Sequence, residues 1–160
     1  MKKLFQYNWQ VRDDWFTWCE HVPEEELLKN RAGGVGSILY TLFHIIEVEH
    51  SWLILDLKGD PEREKLSFEN YDSLKKVREL SERLHREVEP FVDQWTSEME
   101  ARLFIEKDAD GNTVSFKHGE IIRHVIAHEI HHIGQLSIWA RELGRQPVTA
   151  NLIRRGLFAD

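Results

Sequence analysis

The chain has 160 residues, 41% of them hydrophobic and including six tryptophans and eight phenylalanines, which is enough for a single domain over residues 1–160 with a sizeable core. Its formal net charge of -7 argues against general binding to nucleic acid or to an anionic membrane, both of which require clustered Lys and Arg. The lone cysteine, Cys19, has no internal disulfide partner, and no charged-then-apolar leader opens the sequence, so the expected compartment is the cytoplasm.

The first predicted helix runs from about Lys3 to His21, with Phe5, Trp9 and Phe16 among its apolar positions, and Pro23 begins a polar linker. After the glycines Gly33, Gly34 and Gly36, Ser37 is a candidate cap for a second helix that reaches about Leu57 and stops at Gly59. The stretch from Ser37 to Leu57 is the longest apolar run. His44, Glu47, Glu49, His50 and Asp56 interrupt it, as in a buried amphipathic helix rather than a bilayer span.

A third helix is expected from about Asn70 to Thr96, where Leu74, Val77, Leu80, Leu84, Val88, Phe91 and Trp95 recur at spacings of three and four; Pro90 should kink or divide it. Leu103, Ile105, Val114 and Phe116 then alternate around Asp108-Ala109-Asp110-Gly111-Asn112, the pattern of a short β-hairpin. The acidic turn lacks the ligand series and closing glutamate of a calcium loop. A fourth helix runs from near Lys117 to about Leu143, before Gly144, and the tail should add one helical turn near Asn151 to Arg154. The fold class is therefore all-α, a four-helix bundle with a short β-hairpin between the third and fourth helices.

The fourth helix carries the most informative segment, RHVIAHEIHHIGQL from Arg123 to Leu136. His124, His128 and His132 stand four apart, and residues four apart share a helix face, so two neighbours in that series reach one ion. Neutral imidazole is the commonest protein ligand for zinc, nickel and similar metals. Coordination needs at least one further group from elsewhere. His44, flanked by Leu42, Phe43, Ile45 and Ile46 in mid-helix, is the best source, whereas His21, His50 and His85 read as surface residues. Spacing alone does not choose between His124 with His128 and His128 with His132.

His128-Glu129-Ile130-His131-His132 also matches H-E-x-x-H, the helical motif of zinc metalloproteases in which the glutamate is the general base. The elongated form of that motif asks for Gly three residues, and His six residues, beyond the second histidine, where this chain has Gln135 and Ile138. The mainly helical pattern also lacks material for the sheet of such proteases, so the protease reading is the weakest alternative. By the helical period Glu129 points about 100° away from His128. It is expected in solvent or behind a ligand.

Three segments together carry a resemblance: Tyr7-Asn8-Trp9 in the first helix, Leu42 to Trp52 in the second, and His124 to Leu136 ending in His131-His132-Ile133-Gly134-Gln135-Leu136. In them the chain resembles the DinB (damage-inducible), or YfiT-like, family of bacterial four-helix-bundle proteins. The resemblance implies metal ligation by His44, His128 and His132, and a homodimer. Members characterised as enzymes include bacillithiol S-transferases and a mycothiol-dependent maleylpyruvate isomerase. Position 133, often Arg in the family motif, is Ile here.

Three neutral histidines leave positions open on zinc or nickel. The expected cofactor is thus a divalent metal, with a low-molecular-weight thiol as co-substrate and a small electrophile as substrate. The alternative is a non-catalytic protein, metal-stabilised or binding a small molecule, in a stress response. Cys19 is expected to be packing rather than nucleophile. Glu47, His124 and His131 are candidates to orient a ligand imidazole, and Gln135 is a candidate pocket donor.

Overall fold

The computed structural model describes residues 1–59 and 66–158. Its long helices are α1 (Lys2–Cys19), α3 (Ile38–His50), α4 (Leu74–Asp93) and α6 (His118–Glu142), with short helices α2 (Glu24–Leu28) and α5 (Ser97–Glu100) in the connections. Both α1 and α3 pack against α4 and α6, so α1 and α3 face one another across the bundle. Strands β1 (Leu103–Lys107) and β2 (Thr113–Lys117) form the expected antiparallel hairpin between the last two long helices. Its turn closes on Asp108, whose Oδ1 accepts the backbone N–H groups of Asp110 and Asn112 at 3.0 and 2.8 Å.

Helix α4 shows how sequence becomes packing. Val77, Leu80, Leu84, Val88 and Val92 are buried at spacings of three and four, while Lys75, Lys76, Glu79, Glu82 and Arg86 remain exposed. Ser73 accepts the Lys76 N–H at 3.4 Å, so the helix starts at Leu74, later than hydrophobic spacing suggests. Pro90 does not divide it. The proline sits on the exposed side of the last turn, where water can reach the Arg86 carbonyl that its missing N–H leaves unbonded, and the helix continues to Asp93.

The second predicted helix has its expected span but two hydrogen-bonding registers. Ser37 Oγ caps α3 by accepting the Tyr40 N–H at 3.0 Å, and from Ser51 to Leu57 the chain continues as a π-helix, with the Lys58 N–H bonded to Leu53 O at 3.1 Å. Ile38–Leu57 is long and apolar enough to cross a bilayer, yet 56% of its most apolar window is buried in the bundle, against α4 and α6. The region after Pro23 is not merely a polar linker. Glu24, Glu25 and Glu26 occupy the first turn of α2 and Leu27 is buried, a short helix with acidic residues at its positive end. The tail lacks its expected helical turn. It lies against α1, where Tyr7 Oη donates to Ala150 O at 2.6 Å and Trp18 Nε1 to Gln146 O at 2.9 Å.

The apolar core falls into two clusters. Phe5, Trp9, Leu53, Ile54, Val88 and Ile126 belong to one, and Val11, Trp15, Ile46, Leu84, Ile133 and Trp139 to the other. Between them lies a charged layer of Arg12, Glu49 and Glu129, exposed by only 2%, 3% and 1%. Arg12 grips Glu129 through Nε to Oε1 at 2.9 Å and Nη2 to Oε2 at 2.6 Å, and gives Nη1 to Glu49 Oε1 at 2.9 Å. Trp9 Nε1 donates to the other oxygen of Glu49 at 2.9 Å. Burial works against the Arg12 charge, but the two carboxylates outweigh it and raise its pKa.

Removing one partner from such a layer strands the others, whereas a surface pair such as Lys2–Asp93 at 2.7 Å has water to replace it. Arg12→Ala is expected to destabilise the fold by about 3–5 kcal/mol, as for broken buried ion pairs. Lys2→Ala should stay within about 0.5 kcal/mol of the parent. Urea unfolding midpoints of the two variants check both figures, and equal midpoints would overturn the assignment of the layer as a structural constraint.

Candidate metal centre

Helix α3 contributes His44, and α6 contributes His128 and His132. His128 Nε2 lies 3.1 Å from His44 Nε2 and 3.1 Å from His132 Nε2, and the candidate donor atoms all fall within 4.8 Å of one another. Zinc–imidazole bonds of about 2.0–2.1 Å place adjacent donors roughly 3.0–3.4 Å apart, so the two pairs that His128 forms already stand at the spacing one ion requires. The tautomer also fits. His132 Nδ1 donates to Gln135 Oε1 at 2.8 Å, which leaves the Nε2 lone pair directed at the other two rings.

The three rings favour the neutral form that a metal requires. Burial, reinforced by the neighbouring histidines, pushes the His128 pKa down to about 3. Burial also lowers His44, with His132 adding to the effect, and lowers His132 against the opposing effect of the hydrogen bond it donates to Gln135. Protons therefore compete weakly for the site near neutrality.

Local packing sets the ring positions. Tyr40 stacks on His44 one turn earlier, with ring centroids 6.3 Å apart and planes 14° from parallel. The Gln135 amide spans two histidines, because its Nε2 also donates to His131 Nε2 at 3.0 Å. Gly34 brings the loop before α3 against this end of α6. A Cβ there would come within 2.6 Å of the Trp139 ring and 3.0 Å of Gln135 Oε1, so only glycine fits without displacing them. Gln135 was readable from its place one turn after His131; the Gly34 contact depends on loop conformation, which no residue spacing encodes.

The remaining histidines divide by location. His124 is exposed, with its ring centroid 5.8 Å from that of His128, and His131 is exposed beside His132. His50 and His85 are half-buried rather than surface residues: His50 Nε2 lies 3.0 Å from Glu87 Oε2, and His85 packs edge-on against Trp9 at 4.5 Å. His21 is exposed and Glu47 half-buried.

Glu129 departs most from expectation. It is buried in the charged layer, with both oxygens engaged by Arg12, and burial raises its carboxyl pKa against the pull of that arginine. A carboxylate held in that way does not act as the base of an H-E-x-x-H protease. Cys19 is also withdrawn from chemistry. It is 1% exposed, and burial pushes its thiol up to about 12.

The DinB family model matches residues 1–156. The chain is 50% identical over 157 residues to the uncharacterized protein YizA of Bacillus subtilis (strain 168), covering 98% of this chain and 96% of that one. Among solved structures it is similar to the DinB-like protein YjoA of Bacillus subtilis, at TM-score 0.62 and 18% identity over 91% of this chain and 94% of the other. A DinB-like protein from Bacillus cereus ATCC 10987 is similar at TM-score 0.57 and 17% identity, over 90% and 93% of the two chains.

Two outcomes are expected of the centre. In purified protein offered Zn(II) or Ni(II), His44→Ala, His128→Ala and His132→Ala should each lose the bound ion, while Gln135→Leu should bind it about 10–100-fold more weakly, as when the partner of a ligand histidine is lost. Elemental analysis and competition with a chromophoric chelator measure this, and unchanged metal content in all three alanine variants would remove the centre.

The second concerns pH. The folded protein holds the three histidines below their ordinary value of 6.5, so below that pH the unfolded chain takes up protons that the folded chain refuses. Metal-free protein should therefore lose stability from about pH 7.5 to about pH 5, and more steeply than a His44→Gln/His128→Gln/His132→Gln variant. Urea midpoints across that range give the comparison; parallel slopes would contradict it.

Proposed function

The chain belongs to the DinB family, and from that premise we propose that it is a divalent-metal protein acting as a thiol-dependent S-transferase. The observation that carries this reading is the convergence of three neutral imidazole nitrogens from α3 and α6. Three protein nitrogens leave coordination positions open, the pattern of a catalytic rather than a closed structural site. Zinc and nickel both suit imidazole donors. Once bound, such an ion supplies Lewis acidity that favours a thiolate over a thiol at neutral pH.

The protein's own residues have definite tasks in this scheme. His44, His128 and His132 provide the donors, Gln135 holds the His132 ring in its tautomer, and Tyr40 backs the His44 ring. The nucleophile comes from outside, because Cys19 is buried with a raised pKa. In the overall transfer a small thiol forms a carbon–sulfur bond to an electrophile. With an alkyl halide the carbon–halogen bond breaks, the halide departs with the electron pair and the thiol proton passes to solvent; with an epoxide the ring carbon–oxygen bond breaks and the resulting alkoxide takes up a proton; with an activated alkene the π bond breaks and its second carbon takes up a proton.

A non-catalytic reading has one observation in its favour: the three histidines come from α3 and α6, so an ion there would cross-link two helices. Incubation of zinc- or nickel-loaded protein with bacillithiol and a panel of alkyl halides, epoxides and activated alkenes, followed by mass spectrometry, separates the two. Transfer should yield the thioether, and His44→Ala or chelation should slow it by on the order of 100-fold or more, the rate equivalent of several kcal/mol. Folded, metal-loaded protein that turns over no member of the panel would favour the structural role.

A further inference from the structure

A recess lies beside the three histidines, toward the start of α6. One helical turn toward the start of α6 stands His124, and on the opposite side, in the π-helical continuation of α3, stands Trp52, their ring centroids 6.4 Å apart. With Phe116 of β2 and with Glu120 and Ile121 at the start of α6, they line a recess of about 290 Å³. Phe104 of β1 packs edge-on against Trp52 at 5.9 Å and supports that wall from behind. By the hairpin register Phe104 and Phe116 are directly opposite one another, hence on the same face of the ribbon.

The lining indicates what fits. Glu120, its one charged residue, has its carboxylate tied into the helix start by accepting the Lys117 N–H at 2.8 Å. Otherwise the recess is built from two aromatic side chains, one aliphatic side chain and the His124 imidazole. An apolar cavity of about 150 Å³ accepts benzene, so this recess has space for a substituted ring. It adjoins the candidate metal centre through one residue, because the ring of His124, which lines the recess, has its centroid 5.8 Å from that of His128.

We propose that this recess is a substrate subsite that receives a neutral aromatic ring, with the reactive carbon of the same molecule one short link away at the three-histidine face. The recess selects for the ring by offering it an apolar wall, and the Glu120 carboxylate in its lining selects against anionic substrates. The position of the reactive carbon rests on the thiol-transfer reading; the binding of the ring does not.

4-Fluorobenzyl alcohol, a neutral ring with no leaving group, is a suitable probe, followed by fluorine NMR with the full chain in the absence of metal and thiol. Saturable binding is expected with a dissociation constant of order 1 mM, typical of so small a ligand. Phe116→Asp, which replaces an apolar wall by a charge at a partly exposed position, should weaken it by roughly tenfold or more. Leu103→Asp, on the other face of the hairpin, should leave it unchanged. Phe116→Ser replaces the first variant if circular dichroism shows that the carboxylate disturbs the fold.

Absence of saturation, survival of binding in the Phe116 variant, or equal loss in both hairpin variants would overturn the subsite. The two readings fail separately. Thiol transfer without probe binding removes the subsite alone, and probe binding without turnover on any electrophile removes the transferase alone.

Discussion

Arg12 and its two carboxylates impose the constraint on which the other parts of the bundle depend. A guanidinium taken out of water is tolerable only if its donors are met, and here Glu49 from α3 and Glu129 from α6 meet them from two directions. The three residues lie between the two apolar clusters. Apolar helices can slide or rotate against one another with modest loss, but a layer with this hydrogen-bond geometry admits few alternatives. It therefore fixes the mutual rotation of α1, α3 and α6, including both helices that carry the candidate ligands.

The consequence for the metal centre follows from helical phase. Glu129 is one residue after His128, so fixing its carboxylate toward the centre of the bundle turns His128 about 100° away, toward the α3–α6 groove. His132, four residues on, shares the side of His128, and His44 approaches from α3, five residues before Glu49. One surface of α6 thus meets the charged layer while an adjacent surface bears the histidines. Burial near this layer also keeps the three rings neutral and available to an ion.

Much of the bundle could be read from hydrophobic spacing because burial on one helix face repeats every three or four residues. Val77, Leu80, Leu84 and Val88 in α4 show this directly. His44 was identifiable as an imidazole among aliphatic residues, and the resemblance selected the pair His128 and His132 that the structure brings beside it. Features set by tertiary partners were harder to read. Glu129 looks like a solvated helix charge until Arg12, 117 positions earlier, is brought to it. The π-helical turn at Ser51–Leu57 leaves no pattern distinct from an α-helix, and the tail follows α1 through the side chains of Tyr7 and Trp18 rather than through any helical preference of its own. The short helix α2 did have a local signal, three glutamates after Pro23, but the same residues read equally well as a polar linker.

The fate of H-E-x-x-H shows why a motif acquires meaning only from its partners. In a metalloprotease the glutamate must keep its carboxylate free to reach in beside the ion, since its task is to take a proton there. Here the same residues lie on the same kind of helix, but Arg12 holds both Glu129 oxygens in the interior. The general base is thereby lost, while the two histidines keep their spacing and have His44 beside them as a third candidate donor. Any reactivity at this face must depend on a group that enters the groove rather than on a carboxylate of the motif. The thiol transfer proposed above meets that requirement, since its nucleophile enters from outside and it asks nothing of Glu129.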